Sequence, residues 1–136
     1  MSTPPTVRKV VFPAAGLGTR ILPATAVLPK ELLPIIDKPV IQFGVEEALA
    51  SGLSQIILVS SPGKTLLEDH FDRHPELEEI LERRGKSALL DGLRDVATQM
   101  ELSTVFQDEP LGLGHAVLVS RELVDDEPFA VALSDD

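Results

Sequence analysis

The 136-residue chain has no cysteine, which excludes disulfides and thiolate metal sites and fits a cytoplasmic protein without requiring one. It also lacks any apolar run near the roughly 18 residues needed to span a membrane, because charges or prolines interrupt every candidate. The opening Met1-Ser2-Thr3-Pro4-Pro5-Thr6 has no basic stretch followed by an apolar core, so no secretory signal is expected. Basic residues are in deficit: 12 Lys and Arg stand against 22 Asp and Glu, for a net charge of −10. That balance argues against a general nucleic-acid or anionic-membrane binder. Hydrophobic residues, by contrast, make up 43% of the chain, enough for one domain with a real core instead of a disordered segment. The expectation is a soluble, cytoplasmic protein.

The charge is unevenly spread. Residues 1–38 carry five basic groups (Arg8, Lys9, Arg20, Lys30, Lys38) against two acidic ones, Glu31 and Asp37. An anionic ligand would therefore meet the N-terminal segment and not the protein as a whole. The acid from Glu68 to Glu82 reads as a solvated helix face.

The order of patterns implies an α/β fold. Val7 to Phe12 is apolar and β-branched after Arg8 and Lys9, without alternation, as in a parallel strand covered on both faces. A loop rich in Gly, Pro and Thr then runs from Pro13 to about Pro29, and at that length it is better read as functional than as a simple connection. Leu32 to Ile36 reads as a small strand ending at a turn around Asp37-Lys38. Pro39 can open a helix at its first position, reaching about Ser51 with Gly52 as its stop. Gln55 to Ser60 is a second buried strand, and Ser61-Pro62 starts a helix expected to reach His74. After Pro75 comes a helical insertion with apolar stripes at Leu77, Ile80 and Leu81, and at Leu89, Leu90, Leu93 and Val96. Leu102 to Gln107 is a third strand, Gly112 to about Val124 a helix, and Phe129 to Leu133 a fourth strand. This rhythm predicts a Rossmann-like open, mainly parallel sheet with helices on both faces.

Ligands of such sheets collect beyond the carboxyl ends of the strands, near the point where strand order reverses. The glycine-rich loop, Gln107 and the pair Asp135-Asp136 all fall at such ends. Within the loop, Ala14-Ala15-Gly16-Leu17-Gly18-Thr19-Arg20 combines small residues with a cation, and Lys30 follows ten residues later. Glycine permits sharp turns and close approach of a ligand, successive amides form anion-binding concavities, and two spaced cations suit a polyphosphate. Two better-known loops are excluded. Ile21 occupies the third glycine position of a dinucleotide fingerprint, and Pro23 and Pro29 oppose an immediate helix. The first glycine that a P-loop ending in Gly63-Lys64-Thr65 requires would fall at Leu58, inside a strand.

The longer pattern resembles the signature of sugar-1-phosphate nucleotidylyltransferases. It comprises Ala14 to Arg20, Leu22-Pro23-Ala24-Thr25 and Pro29-Lys30-Glu31-Leu32-Leu33-Pro34, then Asp37-Lys38-Pro39 with Ile41-Gln42, Gly112-Leu113-Gly114-His115-Ala116 and Asp135-Asp136. The variant is similar to that of the bacterial enzymes joining UTP and glucose 1-phosphate, and the likeness spans about residue 9 to the end. The resemblance implies nucleotide binding by Ala14, Ala15, Gly16, Leu17, Gly18, Thr19, Arg20, Lys30, Gln107, Gly112 and Leu113. Arg20 would hold the β- and γ-phosphates and Lys30 would neutralise charge on the α-phosphate in the transition state. The Gln107 amide would read the pyrimidine edge, donating and accepting, with Gly112 and Leu113 framing uracil. Asp135 would be the Mg²⁺ ligand, with Asp136 orienting it or binding through water. For His115 a structural or helix-start role is expected.

Two positions depart from the pattern: Ala26 stands where this variant commonly has lysine, and Ser134 replaces the usual proline before the Asp pair. The sugar-binding residues, a second lysine and a second aspartate of the family pattern would lie beyond residue 136. The chain is accordingly expected to be the N-terminal, nucleotide-binding part of one domain, whose full-length form is a homo-oligomer. Transfer of another nucleotidyl group, such as thymidylyl, and a non-catalytic nucleotide-binding homologue remain as alternatives.

Overall fold

A computed structural model describes residues 6–14, 34–35, 38–62, 70–71, 75–86, 88 and 91–133. The strands are β1 (Lys9–Pro13), β2 (Pro34–Ile35), β3 (Lys38–Pro39), β4 (Gln55–Ser60), β5 (Glu101–Phe106) and β6 (Phe129–Val131). The helices are α1 (Val40–Ala50), α2 (Pro75–Arg83), α3 (Asp91–Gln99), α4 (Leu113–Leu118) and α5 (Arg121–Val124). Four strands form one sheet in the order β5-β4-β1-β6, with every neighbouring pair parallel. The expected open parallel sheet is therefore present.

The apolar runs that predict strands divide cleanly between the two faces. Val10, Phe12, Ile56 and Leu58 point to one side, where they pack with Ile41, Val45 and Ala48 of α1, Val96 of α3 and Phe71. Val11, Ile57 and Val59 point to the other, against Ala116 and Val124 of α4 and α5. Alternation along each strand thus feeds two apolar layers, which is why Val10 to Phe12 and Ile56 to Val59 contain no polar residue. The chain winds outward from β1 to β4 to β5, then returns across the second face to place β6 on the free side of β1. The strand order reverses between β1 and β6.

The small β2–β3 pair is antiparallel, with Pro34 opposite Pro39 and Ile35 opposite Lys38. Pro39 is drawn into this ladder with ψ 145° and caps α1, one residue before the first helical position predicted for it. His70 and Phe71 are helical; the rest of the helix expected between Pro62 and His74 lies outside the described residues.

Three expectations are corrected. The stretch from Gly112 to Val124 is two short helices, because Ser120, fully buried, breaks the run. Its Oγ donates to Val117 O at 2.6 Å, while its carbonyl accepts from the backbone N–H groups of Leu123 and Val124 at 3.0 Å. The side chain competes for helical carbonyls and the chain turns. In α2, Leu77 and Ile80 are exposed at 45% and 46%; the buried residue is Glu78, which accepts a 3.1 Å bond from Arg94 Nε of α3. An ion pair, not an apolar stripe, turns that helix inward. Glu76, Glu79 and Glu82 remain exposed, so the solvated-face expectation holds for these three and fails at Glu78; Glu68, Asp69 and Asp72 lie outside the described residues.

The third correction concerns charge. Arg8 and Lys9 do not serve an anionic ligand at the loop. Lys9 is buried at the amino end of β1, where its Nζ donates to Leu123 O at 2.8 Å and Val124 O at 3.0 Å and meets Glu127 Oε2 at 2.8 Å. All three ammonium protons are thereby used. Two of them go to carbonyls at the end of α5, of which Val124 O also accepts from Glu127 N at 3.4 Å, and a cation there is favoured by the helix dipole as well. Arg8 adds a 2.7 Å contact to Glu127. The hydrogen bonds from Lys9 and then Arg8 hold the Glu127 carboxyl below its ordinary range, against a smaller opposing effect of desolvation.

Lys9→Met should lower stability by about 1–3 kcal/mol in chemical denaturation, because the Leu123 carbonyl loses the Lys9 donor and Val124 O keeps only the 3.4 Å bond from Glu127 N. For Glu127 the folded value is depressed, so its contribution is complete above the ordinary glutamate range and fades as pH falls through the folded value. Wild-type unfolding should therefore become easier toward acid pH, and Glu127→Gln should flatten that part of the profile.

Candidate nucleotide site

Three chain segments leave the sheet at its carboxyl edge, those after β1 and β6 as neighbours and the one after β5 two strands from β1. Each is held by one backbone bond beyond the regular strand: Ala14 N–H to Val59 O at 2.7 Å, Gln107 N–H to Ser60 O at 2.8 Å, and Ala132 N–H to Val11 O at 2.9 Å. The glycine-rich loop begins from Ala14, the glycine turn of residues 108–112 from Gln107, and the Asp pair follows Leu133 in sequence. β1 and β6 are the neighbours at the reversal of strand order, the position where open α/β sheets leave a crevice.

Ala14 is 1% exposed. Its N–H is committed to Val59 and its side chain to the core, so what it can offer a ligand is its carbonyl. Ala15, Gly16, Leu17, Gly18, Thr19, Arg20, Lys30 and Asp135 lie outside the described residues. Among the described residues no group of three or more His, Cys, Asp and Glu is arranged to hold a metal ion, and no helix is long and apolar enough to cross a membrane.

Gln107 is nearly buried, at 5% exposure. Its Nε2 donates to Gly112 O at 3.2 Å and lies 2.9 Å from His115 Nδ1. A five-residue turn thus folds back so that the start of α4 closes over the end of β5. Gly112 makes that return possible with φ 98° and ψ 178°. A Cβ there would meet nothing within 4 Å, so backbone conformation and not crowding demands glycine. Gly112 O also accepts from Ala116 N at 3.1 Å, which joins turn, amide and helix in one unit. Leu111 and Leu113, at 62% and 51% exposure, flank the unit as an open apolar rim.

The structure brings Gln107, Gly112 and Leu113 together, and adds His115, for which a structural or helix-start role was expected. The signal for it was present: the first turn of a helix that doubles back after five residues must face the strand end it left.

The family profile for nucleotidyl transferases matches residues 9–136. The chain belongs to the nucleotidyl transferase family. Among curated relatives, UTP–glucose-1-phosphate uridylyltransferase of Bacillus subtilis is 52% identical over 130 residues, covering 96% of this chain and 44% of the relative. Among solved structures, an apo UDP-glucose pyrophosphorylase superposes with TM-score 0.91 at 44% identity, covering 96% of this chain and 48% of that one. A UTP-bound enzyme from Acinetobacter baumannii superposes with TM-score 0.90, also at 44% identity, with 46% of its length covered. The chain therefore spans under half the length of the nucleotidyl transferases it matches.

Because Gly112 occupies a left-handed conformation, Gly112→Ala should lower stability by about 1–2 kcal/mol. Thermal unfolding measures this; a loss indistinguishable from zero would mean that the turn relaxes without strain.

Proposed function

We propose that the protein transfers a uridylyl group from UTP to glucose 1-phosphate, with residues 1–136 as the nucleotide-binding part of a single catalytic domain in the cytoplasm. The observation that carries this reading is the buried Gln107 amide, locked to Gly112 at the carboxyl edge of the sheet, the same edge at which β1 ends beside the reversal of strand order. The names of the relatives, which specify UTP and glucose 1-phosphate, supply the substrates.

In the proposed reaction a phosphate oxygen of glucose 1-phosphate attacks the α-phosphorus of UTP. The bond from that phosphorus to the bridging oxygen breaks, pyrophosphate leaves with the bond pair, and UDP-glucose forms. No protein nucleophile is needed, so the residues act by positioning and charge neutralisation. Amides of the loop from Ala15 to Gly18 accommodate the triphosphate where larger side chains would obstruct it. Arg20 spreads several N–H donors over the β- and γ-phosphates and stabilises the departing pyrophosphate. Lys30 offsets the charge that accumulates on the α-phosphate. Gln107 contacts the base, with Gly112 and Leu113 forming the rim against which it rests.

Asp135 is the residue proposed to hold Mg²⁺. A carboxylate is the donor type that a hard cation prefers, and Asp135 follows by four positions the last residue of β6, neighbour to β1. When bound, Mg²⁺ would supply charge neutralisation at the phosphate oxygens.

The direct check is formation of UDP-glucose and pyrophosphate by the full-length protein, with UTP, dTTP, CTP and ATP compared. Lys30→Ala should lower kcat by about two orders of magnitude or more; a rate within a few-fold of wild type would remove the role given to Lys30. A protein that binds UTP but forms no product would instead be a non-catalytic member of the family.

A further inference from the structure

Gln107 enters the site with its donors already committed. The amide carries two N–H groups, and two acceptors face Nε2: Gly112 O at 3.2 Å and His115 Nδ1 at 2.9 Å. A backbone carbonyl can only accept. Turning the amide over would set Oε1 against Gly112 O, so that contact fixes which end of the amide is nitrogen. The second N–H then points at His115, whose Nδ1 must present its lone pair, leaving the ring proton on Nε2. His115 is itself held in place, since it lies in the first turn of α4 and its carbonyl accepts from Val119 N at 3.0 Å.

What Gln107 has left is Oε1. The side chain is 5% exposed, and among the described residues none donates a hydrogen bond to that oxygen. A buried acceptor without a donor is where a ligand N–H counts most. Pyrimidine bases differ in this respect: uracil presents an N–H at ring position 3, whereas cytosine presents a lone pair there.

We propose that His115 is a positioning residue for base selection, which takes the second amide proton of Gln107 and so leaves Oε1 as an obligate acceptor that selects pyrimidines bearing a ring N–H and rejects cytosine. The proposal rests on the reading of the site as one for UTP. It replaces the donor-and-acceptor role first expected of Gln107 with acceptance alone. Thymine shares the N–H of uracil, so the pair does not distinguish UTP from dTTP, and that separation must arise elsewhere.

The test uses the full-length protein. Initial rates give kcat and KM for UTP, dTTP and CTP in wild type, His115→Phe and His115→Asn. Phenylalanine keeps a ring but removes the acceptor; the asparagine Oδ1 can stand near the position of Nδ1. The expected result is that His115→Phe reduces the preference for UTP over CTP about tenfold or more. The loss should fall mainly on KM for UTP, with dTTP affected in parallel, and His115→Asn should recover most of it. Nitrogen NMR of the wild-type imidazole, without nucleotide, should show an unprotonated Nδ1 and a protonated Nε2. Unaltered base preference in a folded His115→Phe, an asparagine variant no better than phenylalanine, or a protonated Nδ1 would each overturn the proposal. Should His115→Phe not fold, the asparagine variant and the NMR signature decide. Wild-type protein that forms no UDP-sugar from UTP would instead overturn the reading of the site, while the tautomer still reports on the Gln107–His115 contact.

Discussion

Parallel pairing on both sides of β1 is the constraint from which the rest of the structure follows. A strand hydrogen-bonded along both edges has only its two faces left, and both must be covered by apolar matter. Val10, Phe12 and Val11 are accordingly only 1%, 0% and 0% exposed, with α1 and α3 on one side and α4 and α5 on the other. Because each parallel partner must arrive through a crossover, β4 reaches one edge of β1 by way of α1, and β6 reaches the other from β5 by way of α4 and α5.

Much of this was legible in the sequence, for reasons that show where legibility stops. The central strands are unbroken runs of Val, Ile, Leu and Phe, and Gln55–Ser60 is found with the bounds expected. Such runs report burial on two faces, which is a property of the strand itself. The helix from Gly112 failed as a single unit because Ser120 acts through its bond to Val117 O, and no periodicity encodes which carbonyl a serine chooses. Leu77 and Ile80 followed the right spacing for a buried face, yet an ion pair between Glu78 and Arg94 set the orientation of α2. Partners sixteen residues apart are invisible to a pattern read along one helix.

The site divides in the same way. The place of Gln107 at a strand end could be read from the chain, while its role and that of Gly112 came from the family resemblance. The hydrogen bonds that determine what Gln107 can still offer could not be read, because they depend on α4 folding back onto the strand end. Counting charges also misled: Arg8 and Lys9 belong to the N-terminal basic group by sequence, but a strand has two ends, and theirs is the one away from the loop.

Lys9 and Ala14 stand at opposite ends of β1, five residues apart, which in extended chain is about 17 Å. That distance exceeds the roughly 7–10 Å over which substitutions usually interact. The anchoring of β1 to α5 and the placement of Ala14, from which the loop departs, are thus separate tasks of one strand. Changes at the Lys9 clamp and changes at the loop should combine additively, so that the molecule can drift in robustness through one end of β1 while its chemistry is tuned independently at the other.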